Sequence, residues 1–356
     1  MRQMWVWMLL MLALVNRLCH CCLEEERIGL LEIKVWIIDP NYYAFTDWVD
    51  NKKDADCCKW DGVKCDNTTK RVVELSLEDT RNQGFEVLSS KLRKLEILDL
   101  RSNQFNDSIL LSLSHLTSLK SLGLADNELT GSTSINGFEV LSSKLRKLEI
   151  LDLRFNQFND SILLSLSHLT SLKSLDLSGN ELTRSTSING FEVLASGLKK
   201  LEELHLVNNA INDNILPSLC AFSSLKILDL SDNELTTIST CINALRKLEE
   251  LYLAGNIFND SVLASLSGLS SLKTLYLSDN MNLTRSTDVN GFEVLASGLK
   301  KLEELHLVNN AINDNILPSL CAFSSLKILD LSFNELTTIS TCINGKVVDP
   351  TSNDIL

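Results

Sequence analysis

"LRKLEILDLRFNQF", residues 145–158, is the stretch that decides the fold. Leu145, Leu148, Leu151 and Leu153 precede a single asparagine, Asn156. Leu151 and Leu153 alternate with Asp152, which is the period of two of a strand with one buried face. Leu145 and Leu148 line the approach. The asparagine turns the chain out of the strand. Its amide can pair with backbone groups of adjoining rungs, as no aliphatic side chain can, so its role is structural. Aligning on it gives ten units, at Asn103, Asn127, Asn156, Asn180, Asn209, Asn233, Asn256, Asn280, Asn310 and Asn334. The spacings are 24, 29, 24, 29, 24, 23, 24, 30 and 24 residues. A degenerate earlier strand is expected at "RVVELSL", residues 71–77.

Each unit reads L-x-x-L-x-L-x-x-N-x-[LIF], the leucine-rich repeat pattern. It predicts an α/β solenoid, a horseshoe whose parallel strands form the concave sheet. With rungs about 4.8 Å apart, ten units make a sheet roughly 45 Å long. "GFEVLSSKLRKL" (84–95) places Phe85, Leu88, Leu92 and Leu95 at helical spacing, so the long units should carry a short convex helix. Two blocks are near-copies: 84–122 recurs at 137–175 with Ser102 replaced by Phe155, and 190–243 at 291–344 with Asp232 replaced by Phe333. A solenoid tolerates such whole-unit duplication because each unit contacts only its neighbours.

The 356 residues carry a net charge of −13, which argues against a nucleic-acid partner. A hydrophobic content of 44 % is enough for a large core, and 14 glycines and 4 prolines are too few for a disordered chain. An arginine precedes an apolar run from Met4 to Val15, too short to span a bilayer and suited to an export signal. No later stretch approaches the ~18 apolar residues of a membrane helix. The ten cysteines agree with export. Cys57, Cys58 and Cys65 lack zinc-finger spacing and read as an N-terminal disulfide cluster. Cys220 and Cys241, and their copies Cys321 and Cys342, either form disulfides or sit as small buried thiols. Their register, about two positions out of alignment, favours thiols.

The inner face can be read column by column. Glu96, Lys120, Glu149, Lys173, Glu202, Lys226, Glu249, Lys273, Glu303 and Lys327 alternate acid and base, and read as a cross-strand ladder rather than a ligand rail. The mid-strand column runs Asp99, Gly123, Asp152, Asp176, His205, Asp229, Tyr252, Tyr276, His306, Asp330. Exposed tyrosine and histidine are contact residues, so His205, Tyr252, Tyr276 and His306 form the candidate binding patch. Glu203, Glu250 and Glu304 flank it and favour a ligand with some positive charge. Asn-x-Ser/Thr sequons occur at Asn67, Asn106, Asn159, Asn259 and Asn282. Three of them fall three residues beyond their own unit's asparagine, on one flank, leaving the inner face clear of glycans. We find no catalytic constellation, metal-ligand set or cofactor loop: His115 and His168 lie off the strand face, and His205 and His306 have no triad partners.

The N-terminal words "CLEEERIGLLEIK" (22–34) and "DWVDNKKDADCCKWDGVKC" (47–65) resemble the plant-type cap that precedes extracellular leucine-rich repeats. Nearly the whole mature chain is similar to the ectodomain of a plant leucine-rich repeat receptor-like protein. The resemblance implies pairing of Cys22 with Cys57 and of Cys58 with Cys65, with Trp48 and Trp60 packed inside a disulfide-bonded cap. It also implies a secreted or plasma-membrane protein that binds a peptide or protein ligand and works through a co-receptor kinase. Soluble relatives of the same build inhibit secreted cell-wall-degrading enzymes such as polygalacturonase, which is the alternative reading; a truncated decoy is a third. The expected organisation is a signal peptide (1–21), a cap (22–70), repeats (71–344) and a non-repeat tail (345–356) that reads as truncated. Two departures stand out. The family's proline after the asparagine turn is kept only at Pro217 and Pro318, which bears on its side sheet and twist. The tail, "GKVVDPTSNDIL", has no cysteine cap or membrane helix.

Overall fold

The computed structural model describes residues 22–37, 45–50, 56–78, 90–131, 137–183, 189–283 and 290–337. Twelve strands form one sheet in sequence order. They are β1 (Val63–Cys65), β2 (Val72–Ser76), β3 (Ile97–Asp99), β4 (Ser121–Gly123), β5 (Ile150–Asp152), β6 (Ser174–Asp176), β7 (Glu203–His205), β8 (Ile227–Asp229), β9 (Glu250–Tyr252), β10 (Thr274–Tyr276), β11 (Glu304–His306) and β12 (Ile328–Asp330). From β2 onward every pairing is parallel and in register, so equivalent residues of successive units stand side by side. The degenerate strand at 71–77 is β2. The cap strand β1, which the repeat pattern does not reveal, pairs with it antiparallel.

Each three-residue repeat strand buries its middle leucine and leaves the flanking residues half-buried or exposed on the concave face, apart from the buried His306 of β11. The next leucine, such as Leu153 or Leu253, is also buried, as are Leu145 and Leu148 on the approach. A fully buried leucine contributes roughly 1.5–3 kcal/mol, and one continuous core runs from Cys22 to Leu331. The asparagine column behaves as its chemistry requires. The Nδ2 of Asn233 donates to the carbonyls of Leu206, Leu230 and Ser231, and its Oδ1 accepts from the Ile211 N–H. Each such side chain therefore joins its own coil to the one before.

Just before that asparagine the chain enters the left-handed region in every unit. Ser102, Asp126, Phe155, Gly179, Asn208, Asp232, Gly255, Asp279, Asn309 and Phe333 all have φ between 51° and 63°. Gly, Asn and Asp accept this conformation readily, whereas a bulky residue is strained in it. The two substitutions that distinguish the duplicated blocks both place phenylalanine here. Phe155 lies over Gly179, where an added Cβ would sit 2.4 Å from its ring.

The convex side follows unit length. The 29- and 30-residue spacings accommodate the helices Gly137–Lys144, Asn189–Gly197 and Asn290–Gly298. The shorter units use four- to six-residue helices or 3-10 turns. The helix expected within 84–95 lies largely outside the described residues. A second clamp crosses the coils on the flank. The Asp107 carboxylate accepts from Thr130 N–H, Thr130 Oγ1 and Gly131 N–H, and Asp213 takes Thr236 in the same way. On this flank Asn259 and Asn282 make an isolated parallel bridge.

At the N-terminus, Cys22–Cys57 and Cys58–Cys65 are disulfide-bonded. Trp48 and Trp60 are buried and stacked, with centroids 5.6 Å apart. The buried Glu26 carboxylate receives Arg71 Nε at 2.6 Å and the Val72 N–H at 3.0 Å, which ties the cap helix Glu24–Ile37 to β2. The preference for free thiols downstream is corrected: Cys220 and Cys241 form a disulfide, with Cα atoms 5.7 Å apart. Strand register does not predict their separation, because Cys220 ends the helix Leu216–Leu219 while Cys241 lies in the 3-10 turn Thr240–Ala244. Different helical rises in the two return segments bring them level. Cys321 is disulfide-bonded as well, and Cys342 lies outside the described residues. Among the described residues no helix is long and apolar enough to cross a membrane.

Candidate functional site: the concave sheet

The parallel register puts the last residue of each strand, rather than a mid-strand one, in one line, from Ser76 and Asp99 through His205, Asp229, Tyr252, Tyr276 and His306 to Asp330. Three of the four ring residues meet. Tyr252 and Tyr276 stack with centroids 4.8 Å apart, and Tyr276 and His306 with centroids 4.0 Å apart and planes within 7°. The spacing is that of neighbouring strands, so the rings continue the ladder outward as an aromatic stack. His205 is not part of it, because Asp229 stands between it and Tyr252.

Charges around the stack are distinct at its two ends. The Tyr252 hydroxyl donates to Glu250 at 2.7 Å. Burial, followed by that carboxylate, pushes the Tyr252 phenol well above its usual range. Tyr276 is raised by burial and by Glu304 and Glu250. The Asp229 carboxylate, 3.9 Å from Nδ1 of His205, raises that imidazole above the ordinary histidine value. His306 shifts the other way. Burial lowers it despite Asp330 and Glu304, and its Nε2 is buried without a hydrogen-bond partner, 3.9 Å from Glu304. Glu203, Glu250 and Glu304 occupy the first strand position on the same face, two residues before His205, Tyr252 and His306.

The neighbouring acid–base column is closed by its own ion pairs. In the acid–base column each lysine bonds the glutamate of the preceding coil: Lys120–Glu96 at 2.7 Å, Lys173–Glu149 at 2.7 Å, Lys226–Glu202 at 2.5 Å, Lys273–Glu249 at 2.5 Å and Lys327–Glu303 at 2.6 Å. The ladder is built of cross-strand pairs, since an ammonium that closes on one carboxylate leaves the next. In the N-terminal half, Arg101 forks onto Asp99, while Arg154 bonds Asp152 and reaches Asp176 at 3.4 Å. Column reading of the sequence misses these pairs, the left-handed column and the flank clamps, although the Asp-x-Arg spacing on alternate strand positions carries a signal for the first of them. The sequon residues Asn67, Asn106, Asn159, Asn259 and Asn282 are all exposed, and Asn106, Asn159 and Asn259 each accept the N–H two residues on. Among the described residues no group of three or more His, Cys, Asp or Glu side chains is placed to hold a metal ion.

Comparison with known proteins agrees with this architecture. A leucine-rich repeat N-terminal domain model matches residues 23–66. Leucine-rich repeat models match 91–114, 144–184, 199–258, 298–321 and 325–345. Receptor like protein 21 of Arabidopsis thaliana is 34 % identical over 228 residues, covering 52 % of this chain and 22 % of the relative. Cuscuta receptor 1 of Solanum lycopersicum is 33 % identical over 241 residues, covering 65 % and 20 %. The chain thus spans about a fifth of the length of these curated relatives. Among solved structures, the Arabidopsis receptor kinase HAESA, in complex with the peptide hormone IDA and the co-receptor SERK1, is 28 % identical with a TM-score of 0.59, over 88 % of this chain and 54 % of that one. A plant ice-binding protein is 24 % identical with a TM-score of 0.58, over 89 % and 96 %, and shares the fold. Leucine-rich repeat ectodomains of this build are not enzymes. The chain belongs to the leucine-rich repeat proteins, and its cap and repeats are of the plant receptor-like protein kind.

Proposed function

We propose that the chain is an extracellular recognition protein that binds a peptide or protein ligand on its concave face and acts through a partner receptor kinase. One observation carries the reading. Where the neighbouring acid–base column is closed by its own ion pairs, the stack of Tyr252, Tyr276 and His306 presents aromatic surface flanked by Glu250 and Glu304. Partly exposed tyrosines on a rigid sheet provide contact area at little cost in side-chain entropy. The HAESA complex, in which a related receptor kinase holds a peptide hormone together with a co-receptor, supports the same use. In this reading residues 1–21 direct export, and glycans on the five exposed sequons leave the sheet open. The test is selection of peptides from a display library on the full chain. Replacing Tyr252 and Tyr276 together by alanine should weaken selected peptides by at least about tenfold. Unchanged affinity in a variant with an unaltered melting curve overturns the proposal.

A further inference from the structure

The aromatic stack leaves one tyrosine face without a ring against it. Tyr276 is covered on both sides, by Tyr252 and by His306. Tyr252 is stacked on one side only, and its other face turns toward β8, which carries Asp229. On the far side of β8 stands His205. Two ring-bearing strands therefore flank one that bears a short carboxylate. The strands β7 and β9 are two rungs apart, roughly 9–10 Å, so the gap between the rings admits a single planar group over Asp229.

Charge decides which group. Glu203 and Glu250 stand on the same two walls, two residues before His205 and Tyr252. Glu250 is held by the Tyr252 hydroxyl. The adjacent Lys226 is spent on Glu202 at 2.5 Å. Among the described residues, none of Glu203, Asp229 and Glu250 has a lysine or arginine within ion-pair distance. Asp229 Oδ1 already accepts the Ser231 N–H at 3.0 Å and Oδ2 faces His205, so a neutral ring in the slot would desolvate the remaining lone pairs with no cation in return, and an anion would be repelled. A guanidinium fits both demands: its plane lies flat on a tyrosine face, and its fork of N–H donors meets carboxylates pairwise.

We propose that the slot over Asp229, between His205 and Tyr252, is a subsite for an arginine side chain of the ligand; this rests on the concave face being the ligand surface. The duplicate slot at β12 is different, because His306 there is buried in the stack. His205 is the slot's own competing cation. It faces Asp176, Asp229 and Glu203, with Tyr252 and Glu250 on the next strand but one. Protonated His205 neutralises Asp229, so arginine binding strengthens as pH rises through the titration of His205.

The experiment titrates the full chain with Nα-acetyl-arginine methylamide, the lysine counterpart and the uncharged, isosteric citrulline counterpart, following tyrosine ring resonances. The arginine compound should bind saturably and at least about tenfold more tightly than citrulline, with lysine between them. Asp229→Asn should remove this preference, and Asp330→Asn, at the duplicate position, should not. Glu203→Gln with Glu250→Gln gives a second variant should Asp229→Asn fold poorly. Equal binding of citrulline, or equal loss in Asp330→Asn, overturns the subsite. If arginine does not bind while selected peptides still need Tyr252 and Tyr276, the subsite falls and the concave-face reading stands. If neither holds, both fall.

Discussion

Residues 190–243 and 291–344 differ at one position in 54, yet they build two different chemical surfaces. His205 lies between Asp176 and Asp229, its side chain 29 % exposed, and titrates above the ordinary histidine. His306 lies between Tyr276 and Asp330, its side chain 10 % exposed, and titrates below it. Nothing within the repeat explains this. In a solenoid the environment of a face residue comes from the coils on either side, so duplication copies a sequence without copying its surroundings.

Four outcomes sharpen or break that comparison. The largest effect is expected at the asparagine column. Asn233→Ala leaves the Ile211 N–H without its acceptor and takes one of two donors from each of the Leu206, Leu230 and Ser231 carbonyls, so it should cost about 3 kcal/mol. Asn334→Ala, at the duplicate position, should cost less, because Asn334 is only half-buried and water can replace its amide. Urea unfolding of the two variants measures the difference, and equal losses would show that the neighbouring coil is irrelevant. Second, Cys220→Ser with Cys241→Ser opens a cross-link spanning 21 residues, worth about 3 kcal/mol by loop closure. A mass shift on alkylation without reductant would show that the bond is absent in solution.

Third, Phe333→Asp restores the residue of the other block at a left-handed position. It should stabilise by about 1 kcal/mol, and Asp232→Phe should do the reverse. The Asp232 side chain lies over Gly255, where an added Cβ would come within 2.1 Å of its Oδ1, so the reverse change has the less room of the two. No gain in unfolding free energy for Phe333→Asp would mean that the exposed ring, 70 % accessible, makes a contact that offsets its strain.

The smallest effect is the dependence of stability on pH. The folded-state value of His205 is raised, so its ion pair stabilises fully below the ordinary histidine value and is lost as pH rises through the raised one. His306 is lowered, so protonation opposes folding as pH falls through the ordinary value toward the depressed one. Relative to the parent, His205→Gln should lose a few tenths to about 1 kcal/mol near pH ~5 and little near pH ~8, whereas His306→Gln should gain at the acid end. Histidine resonances titrating at the same pH would remove the contrast.

Much of the molecule is legible in the sequence. The repeat and the direction of the sheet follow from Leu-x-Leu periodicity. The disulfides of Cys22, Cys57, Cys58 and Cys65 and the inward Trp48 and Trp60 follow from the resemblance of the cap. The acid–base column is legible in position but not in pairing, since only side-chain geometry shows Lys226 closing on Glu202 and leaving Glu249 to Lys273. The column already places Asp229 between His205 and Tyr252; what it does not show is that the rings of Tyr252, Tyr276 and His306 stack face to face, leaving His205 apart. The bond between Cys220 and Cys241 escapes strand alignment, because their separation depends on helical rise in the return segments.

The sequence by itself determined the coil. Alternating leucines must bury one face, and an asparagine amide is suited to closing the turn beneath it, so a chain of ten such units has little choice but to stack. Only the tertiary structure decided which side chains become neighbours across coils. A contact between residues 24 to 30 apart depends on the length and rise of everything between them, and from it follow the stack of Tyr252, Tyr276 and His306, the place of Asp229 beside Tyr252 and the two fates of one duplicated histidine.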